Sequence, residues 1–316
     1  MKKVVVIGGG TGMSNLLSGL KQFPLDITAI VTVCDDGGST GILREEFNIP
    51  AVGDIRRVLV ALSETEPLVM DLFNYRFKTS SDLGEHTVGN LLLTASSEIT
   101  GNLSDGIEAL SKVLNLKGKV VPLTEDNVTL MAKMTDGRVV EGEHHITQDK
   151  GKIKKVYYKE KAIPTKEALK AIKHADLILF SMGSLYTSII PNLLIKEVVE
   201  EIEKSKAPIM YVCNMMTQPG ETDNFTVTDH VKTLNQYLGK RKVDIVMVNT
   251  GDIDSKLSEF YLVAEQKDPV RYDKENVDKY GLTVIEDDFI HITPNNLLRH
   301  DNIKLGFHIF YYLMRK

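Results

Sequence analysis

Cysteine is scarce in this chain: Cys34 and Cys213 are the only two among 316 residues. That is too few for a disulfide framework or a four-cysteine zinc site. A basic excess is missing as well. Lys and Arg number 38 against 43 Asp and Glu, a formal net charge of −5, so bulk charge draws the chain neither to nucleic acid nor to an anionic membrane. No secretory leader is expected, because the apolar run Val4 to Ile7 stops at glycines before the roughly seven residues such a segment needs. A reduced, cytoplasmic protein is the expectation. The uncharged stretch Leu177 to Ile195 approaches the roughly 18 residues of a membrane span. Its Ser181, Gly183, Ser184, Thr187, Ser188, Pro191 and Asn192 would be poorly satisfied in lipid, so a buried strand feeding a polar loop is expected. HExxH, paired CxxC, nucleophile-elbow and helix-turn-helix signatures are all lacking. So are fixed-period repeats, low-complexity tracts and Pro/Ser-rich linkers.

What is present is ordinary globular material, 42% hydrophobic and 26% charged. Length alone allows about two domains; with no linker, one α/β domain over residues 1–316 is expected. The run Lys3 to Ile7 (KVVVI) is continuously apolar and β-branched, as in a strand buried on both faces. A glycine turn, a helix from Met13 to Lys21 and a second strand from Thr28 to Val33 complete a βαβ unit. From Gly53 to about Leu116 the apolar spacing is helical. The pattern changes over residues 118–161, where VVPL, VTLMAKM and RVVEG read as short strands with Asp136-Gly137 at a hairpin turn, a small antiparallel β insertion. Its basic stretch Lys150 to Lys161 fits a solvated edge strand or a binding patch. The α/β rhythm then resumes, with strands at Asp176–Phe180, Ile209–Cys213, Asp244–Val248 and Leu282–Ile285, and a last helix from about His300 to Met314. The fold class expected is α/β, a Rossmann-like doubly wound and mostly parallel sheet bearing that insertion.

In such sheets ligands sit beyond the carboxyl ends of the strands, so the residues after each strand are the candidates. Gly8, Gly9, Gly10, Thr11 and Gly12 follow the first strand, where glycines let backbone N–H groups approach an anion beside a helix N-terminus. The loop is neither G-x-G-x-x-G nor a P-loop, which weakens a dinucleotide-dehydrogenase reading. After the second strand come Asp35, Asp36, Gly37, Gly38, Ser39 and Thr40, with Arg44 beyond. A carboxylate there suits a ribose hydroxyl, two suit a divalent cation bridging phosphates, and Asp36 alone suits a turn cap. The glycines, Ser39 and Arg44 form a second candidate anion loop. Asp54 is placed to cap a helix that carries Arg56 and Arg57; His86 and Asn90 flank the start of another, and His86 is the best candidate for proton transfer. Gly183, Ser184 and Thr187 offer a third anion or sugar contact. Asn214 and Gln218, then Asn249, Thr250 and Asp252, follow later strands; Arg299 precedes the last helix and suits a diphosphate, and Tyr261 suits either stacking or the core.

Taken together, VVVIGGGTGMSNLLSGL, DITAIVTVCDDGGSTGILREEF, VGDIRRVLVALS, EHTVGNLLL, GSLYTSIIPNLL and VCNMMTQPGETDNFTVTDHV resemble the gluconeogenesis-factor (YvcK-type) proteins, relatives of 2-phospho-L-lactate transferase (CofD). The resemblance spans Lys3 to the Arg299-His300-Asp301 segment. For the first branch it implies a cytoplasmic factor needed for cell shape on gluconeogenic carbon sources, binding a nucleotide sugar such as UDP-N-acetylglucosamine. On that branch Gly8 to Gly12, Gly37 to Thr40 and Ser184 hold a diphosphate, Asp35 meets ribose or metal, and Arg299 adds charge. For the transferase branch it implies Mg²⁺-dependent transfer of a phospholactyl group from a guanylyl donor to a deazaflavin, with Asp35 or Asp36 on the metal and Asp36 or His86 as catalytic candidates. ILREEFNIPAVGDIRR and GSLYTSIIPNLLI look closer to the first branch. The partners expected are the nucleotide sugar, a protein of cell-wall synthesis or its regulation, and a second copy of the chain as homo-oligomer, with no nucleic acid and no membrane span.

Overall fold

The computed structural model describes residues 1–315. Seven parallel strands form its central sheet: β1 (Lys2–Gly8), β2 (Leu25–Val31), β3 (Lys119–Pro122), β7 (Leu177–Phe180), β8 (Ile209–Val212), β9 (Ile245–Asn249) and β10 (Thr283–Asp287), in the order β10-β9-β8-β7-β1-β2-β3. The apolar runs are there because the sheet is covered on both faces. Val4 to Ile7 and Leu177 to Phe180 are at most 2% exposed. The chain builds outward from β1 through β2 to β3, then crosses back to place β7 on the other flank of β1. Strand order therefore reverses between β1 and β7, and the loops after these two strands diverge to leave a crevice.

Between the arms of the main sheet a separate three-stranded antiparallel sheet is inserted, ordered β5-β4-β6, from β4 (Leu130–Met134), β5 (Val139–Glu141) and β6 (Ile153–Tyr158). Two features depart from the sequence expectation. Val120 to Pro122, read as part of the insertion, is the edge strand β3 of the main sheet, in register with Ala29 to Val31. A short helix, Glu143–Gln148, follows β5. Lys154 and Lys155 are exposed on β6, an edge strand.

Smaller shifts share one cause, that backbone leaves the sheet to make loops. Thr32 and Val33 lie beyond β2 and lead to Asp35. The last helix starts at Asn302 because Asp301 accepts the Ile303 and Lys304 N–H groups as its cap. His300 instead ends β12 (Leu298–His300), paired with β11 (Ile290–Ile292). The helix Gly10–Leu20 packs between Gly53–Leu62 and Asn302–Met314. Among the described residues no helix is long and apolar enough to cross a membrane; Leu177 to Ile195 is β7, a glycine turn and two short helical turns.

Candidate functional site at the strand-order reversal

The glycine loop after β1 ends at Gly9, which precedes the helix Gly10–Leu20 in extended conformation and gives it no side-chain cap. Gly10 has φ +68°, a conformation L side chains avoid. A Cβ on Gly12 would land on the Met182 carbonyl oxygen, so glycine there lets the first helical turn press against the loop after β7. The Gly10 N–H that opens this helix is met by the Asp54 carboxylate, so the helix start lies on the crevice with an acidic side chain beside it.

The opposing loop is more heavily braced. Asn214 accepts the Gly183 N–H (3.0 Å) and donates to the Gly183 carbonyl (2.7 Å). Ser184 caps the following turn by accepting from the Thr187 N–H at 3.0 Å, and its own hydroxyl donates to Glu221 at 2.6 Å. Glu221 is buried, and desolvation raises its pKa above the ordinary carboxylate value. The two loops wall a cavity of about 470 Å³ that also touches Arg57, Met215, Gln218, Tyr261, Lys267 and Arg299. Its size is that of a small-molecule pocket. A larger hollow of about 900 Å³ lies beside the edge strand β3, where Asp105, Glu108, Glu125, Asp126 and Glu167 outnumber Lys119 and Lys166, a net negative lining that disfavours an anion.

A polar recess of about 190 Å³ opens off the crevice, sharing Gly10, Arg57, Glu143, Thr187 and Ser188 with it and adding Thr32, Asp35 and Asp54. Asp54 pairs with Arg57 at 2.7 Å. Burial raises the Asp54 pKa, while Arg57 opposes the shift. Glu143 enters from the insertion. Burial first, then the Asp35 charge, pushes it up to about 7. The Thr147 hydroxyl donates to it at 3.1 Å, and the Thr187 hydroxyl is within hydrogen-bonding reach.

Of the sequence candidates, Gly9, Gly10, Thr11, Gly12, Gly183, Ser184, Thr187, Asn214, Tyr261 and Arg299 converge on the main cavity, and Asp35 on the recess. The second glycine loop does not join them. Asp36 turns to the insertion and accepts the His144 N–H at 2.8 Å. All five Arg44 donors are engaged, on Asn127, Cys34, Asp35 and Val128, so this buried arginine staples loop to insertion. Gly37 donates to Asp35 at 3.0 Å, Gly38 is exposed, and Thr40 is buried beneath Gly53. Ser39 is held by His86 (3.1 Å) and Asn90 (3.0 Å) in a buried cluster joining two helices, which leaves His86 without a place on the crevice. Arg57 faces the cavity whereas Arg56 turns to Asn74. Asn249, Thr250 and Asp252 line a separate hollow of about 330 Å³.

The Asp35–Asp36 pair does not fit a shared cation, because Asp36 is already bound to backbone. Among the described residues no group of three or more His, Cys, Asp or Glu is arranged to hold a metal ion. Glu143, Thr147, Glu221 and Lys267 carry no local signal in the sequence, since none follows a strand of the main sheet directly.

At the far end Tyr261 is 4% exposed, and its hydroxyl accepts the Leu298 N–H at 2.8 Å. That bond fixes β12 and hence Arg299 on the cavity rim. His300 is buried on the Cys213 carbonyl (3.1 Å), and desolvation lowers its pKa to about 4.

These features define a class: a doubly wound α/β protein with a polar crevice at its topological switch point. The family model described as 2-phospho-L-lactate transferase CofD matches residues 4–290, and the chain belongs to that family. It is 49% identical over 305 residues to the gluconeogenesis factor of Bacillus subtilis, covering 96% of each chain. To the gluconeogenesis factor of Halalkalibacterium halodurans it is 46% identical, covering 96% of this chain and 94% of that one. A crystal structure of a UPF0052-family protein from Bacillus halodurans superposes with TM-score 0.94 at 45% identity, over 98% of this chain and 99% of that one.

Proposed function

We propose that the crevice binds a nucleotide-diphosphate sugar of the UDP-N-acetylglucosamine type. On this reading the chain is a cytoplasmic regulatory factor of cell shape under gluconeogenic growth, acting through a protein partner in cell-wall synthesis. The observation that carries the ligand class is the convergence of the Gly10 and Ser184 helix starts on one cavity, with Arg57, Lys267 and Arg299 around it. On the cavity lining Arg57, Lys267 and Arg299 outnumber Glu143 and Glu265, which makes the formal charge there positive despite the chain's net charge of −5. Apolar Met215, Met216 and Leu298 beside Tyr261 suit a planar base, while the polar recess suits a sugar. Assignment to the gluconeogenesis-factor branch follows the relatives of 49% and 46% identity.

A second reading, Mg²⁺-dependent phospholactyl transfer to a deazaflavin, is favoured by one feature: Asp35 and Asp54 line the recess beside the phosphate position. An ion held there would draw most of its ligands from phosphate and water, and would neutralise phosphate charge. Thermal-shift titration separates the readings. A ligand at about 100 times its Kd stabilises the fold by roughly 2.7 kcal/mol. UDP-N-acetylglucosamine is expected to give that shift without Mg²⁺, with GDP and NAD giving none. A response confined to guanylyl nucleotides plus Mg²⁺ would favour the transferase.

A further inference from the structure

We propose that Glu143, brought into the crevice by the insertion, distinguishes a nucleotide sugar from the bare nucleoside diphosphate by accepting hydrogen bonds from hydroxyl or amide donors on the sugar. The inference rests on the nucleotide-sugar reading above and names the residue that gives it specificity.

Three observations support it. Glu143 is the first residue of the helix Glu143–Gln148 and borders both the main cavity and the recess. Its position is held from outside the ligand site: Asp36 accepts the neighbouring His144 N–H at 2.8 Å. Gly142, at φ +91°, lies so close that a Cβ would strike the Asp36 carboxylate. Glu143 also meets the anion loop, through the hydroxyl of Thr187.

The chemistry follows from that placement. In its ionised form the Glu143 carboxylate is repelled by a diphosphate, so above pH 7, where the titrations are run, the phosphates are not its partners. It serves a part of the ligand that bears donors, and in a nucleotide sugar the part next to the diphosphate is the sugar. Thr147 supports one carboxylate oxygen, leaving acceptor sites directed at the cavity. A site built to accept from ligand hydroxyls discriminates strongly against a ligand lacking them, because its own polar groups are otherwise left unpaired.

The test compares UDP-N-acetylglucosamine and UDP by calorimetric titration, on the unmutated chain, Glu143→Gln and Glu143→Asp. Glutamine keeps the size and removes the charge; aspartate keeps the charge and withdraws the oxygens by one methylene. Both variants should lose about tenfold in affinity for UDP-N-acetylglucosamine, with UDP binding unchanged or tighter, so that the ratio of the two affinities collapses. Asp36→Asn, which loosens the anchor of the helix, should move the same ratio in the same direction by less. Equal loss for both ligands, or no change in either, would overturn the proposal. Binding of neither ligand by the unmutated chain would show instead that the nucleotide-sugar reading is wrong, and the proposal falls with it.

Discussion

Asp36 and His144 lie 108 positions apart, yet the Asp36 carboxylate accepts the His144 N–H at 2.8 Å. This bond ties the loop after β2 to the helix that presents Glu143, so the insertion forms one wall of the crevice. Asp36→Ala should therefore destabilise the insertion helix by about 1 kcal/mol, the usual cost of losing a carboxylate cap. Hydrogen exchange at the amides of residues 143–148 should speed up while β1 and β7 stay protected. Unchanged exchange at these amides would contradict the anchoring role.

Arg44 is expected to act on stability alone. A lysine cannot reproduce five directed donors from a buried position. Arg44→Lys should cost on the order of 3 kcal/mol in urea unfolding, with ligand affinity of the folded protein changed less than about twofold. A large fall in affinity at full stability would return Arg44 to the binding site.

Two glycines should respond differently to alanine. At Gly12 the added methyl strikes the Met182 backbone carbonyl, which cannot swing aside as a side chain could, and a loss of about 3 kcal/mol or failure to fold is expected. At Gly38, φ is +44° but no atom lies within 4 Å, so only the backbone cost of about 1 kcal/mol applies. Urea midpoints measure both, and the reverse ranking would contradict the close approach of the two loops.

Two groups with large shifts pull the pH dependence of stability in opposite directions. His300 titrates near 6.5 when unfolded but near 4 when buried. Between those values the unfolded chain binds the extra proton, and stability falls as the pH drops, by roughly 3 kcal/mol in full. Glu143 works the other way: its folded pKa of about 7 exceeds the ordinary 4.5, so its contribution is complete below 4.5 and is lost as the pH rises to 7. His300→Gln should flatten the loss on acidification, and Glu143→Gln should remove the opposing loss from pH 4.5 to 7. Unfolding free energies across that range test both; identical slopes in variant and parent would refute the assignment.

The strands are legible in the sequence because parallel strands covered on both faces must be apolar throughout, as Val4 to Ile7 and Leu177 to Phe180 are. The glycine loops are legible because tight turns and helix starts at strand ends demand glycine and hydroxyl residues. What escapes is set by long-range packing. Arg44, beside glycines and Ser39, has the local look of an anion ligand, and only the insertion's Asn127 and Val128 turn it into a staple. His86 reads as a loop histidine until Ser39 and Asn90 enclose it. Glu143 and Glu221 lie within or beyond helical and turn segments whose placement no local pattern encodes. Val120 and Val121 have the pattern of any short strand, and the choice of main sheet over insertion depends on pairing with β2.

The most direct test of a nucleotide-diphosphate sugar in this crevice is calorimetric titration of the unmutated chain with UDP-N-acetylglucosamine, repeated on Arg299→Ala. Arg299 lines the cavity, and among the described residues its guanidinium anchors no distant element, donating to the neighbouring Leu298 carbonyl. Saturable binding is expected, weakened about tenfold or more in the variant, with the fold intact. Absence of binding by the unmutated chain, or equal binding by both proteins, would contradict that occupant.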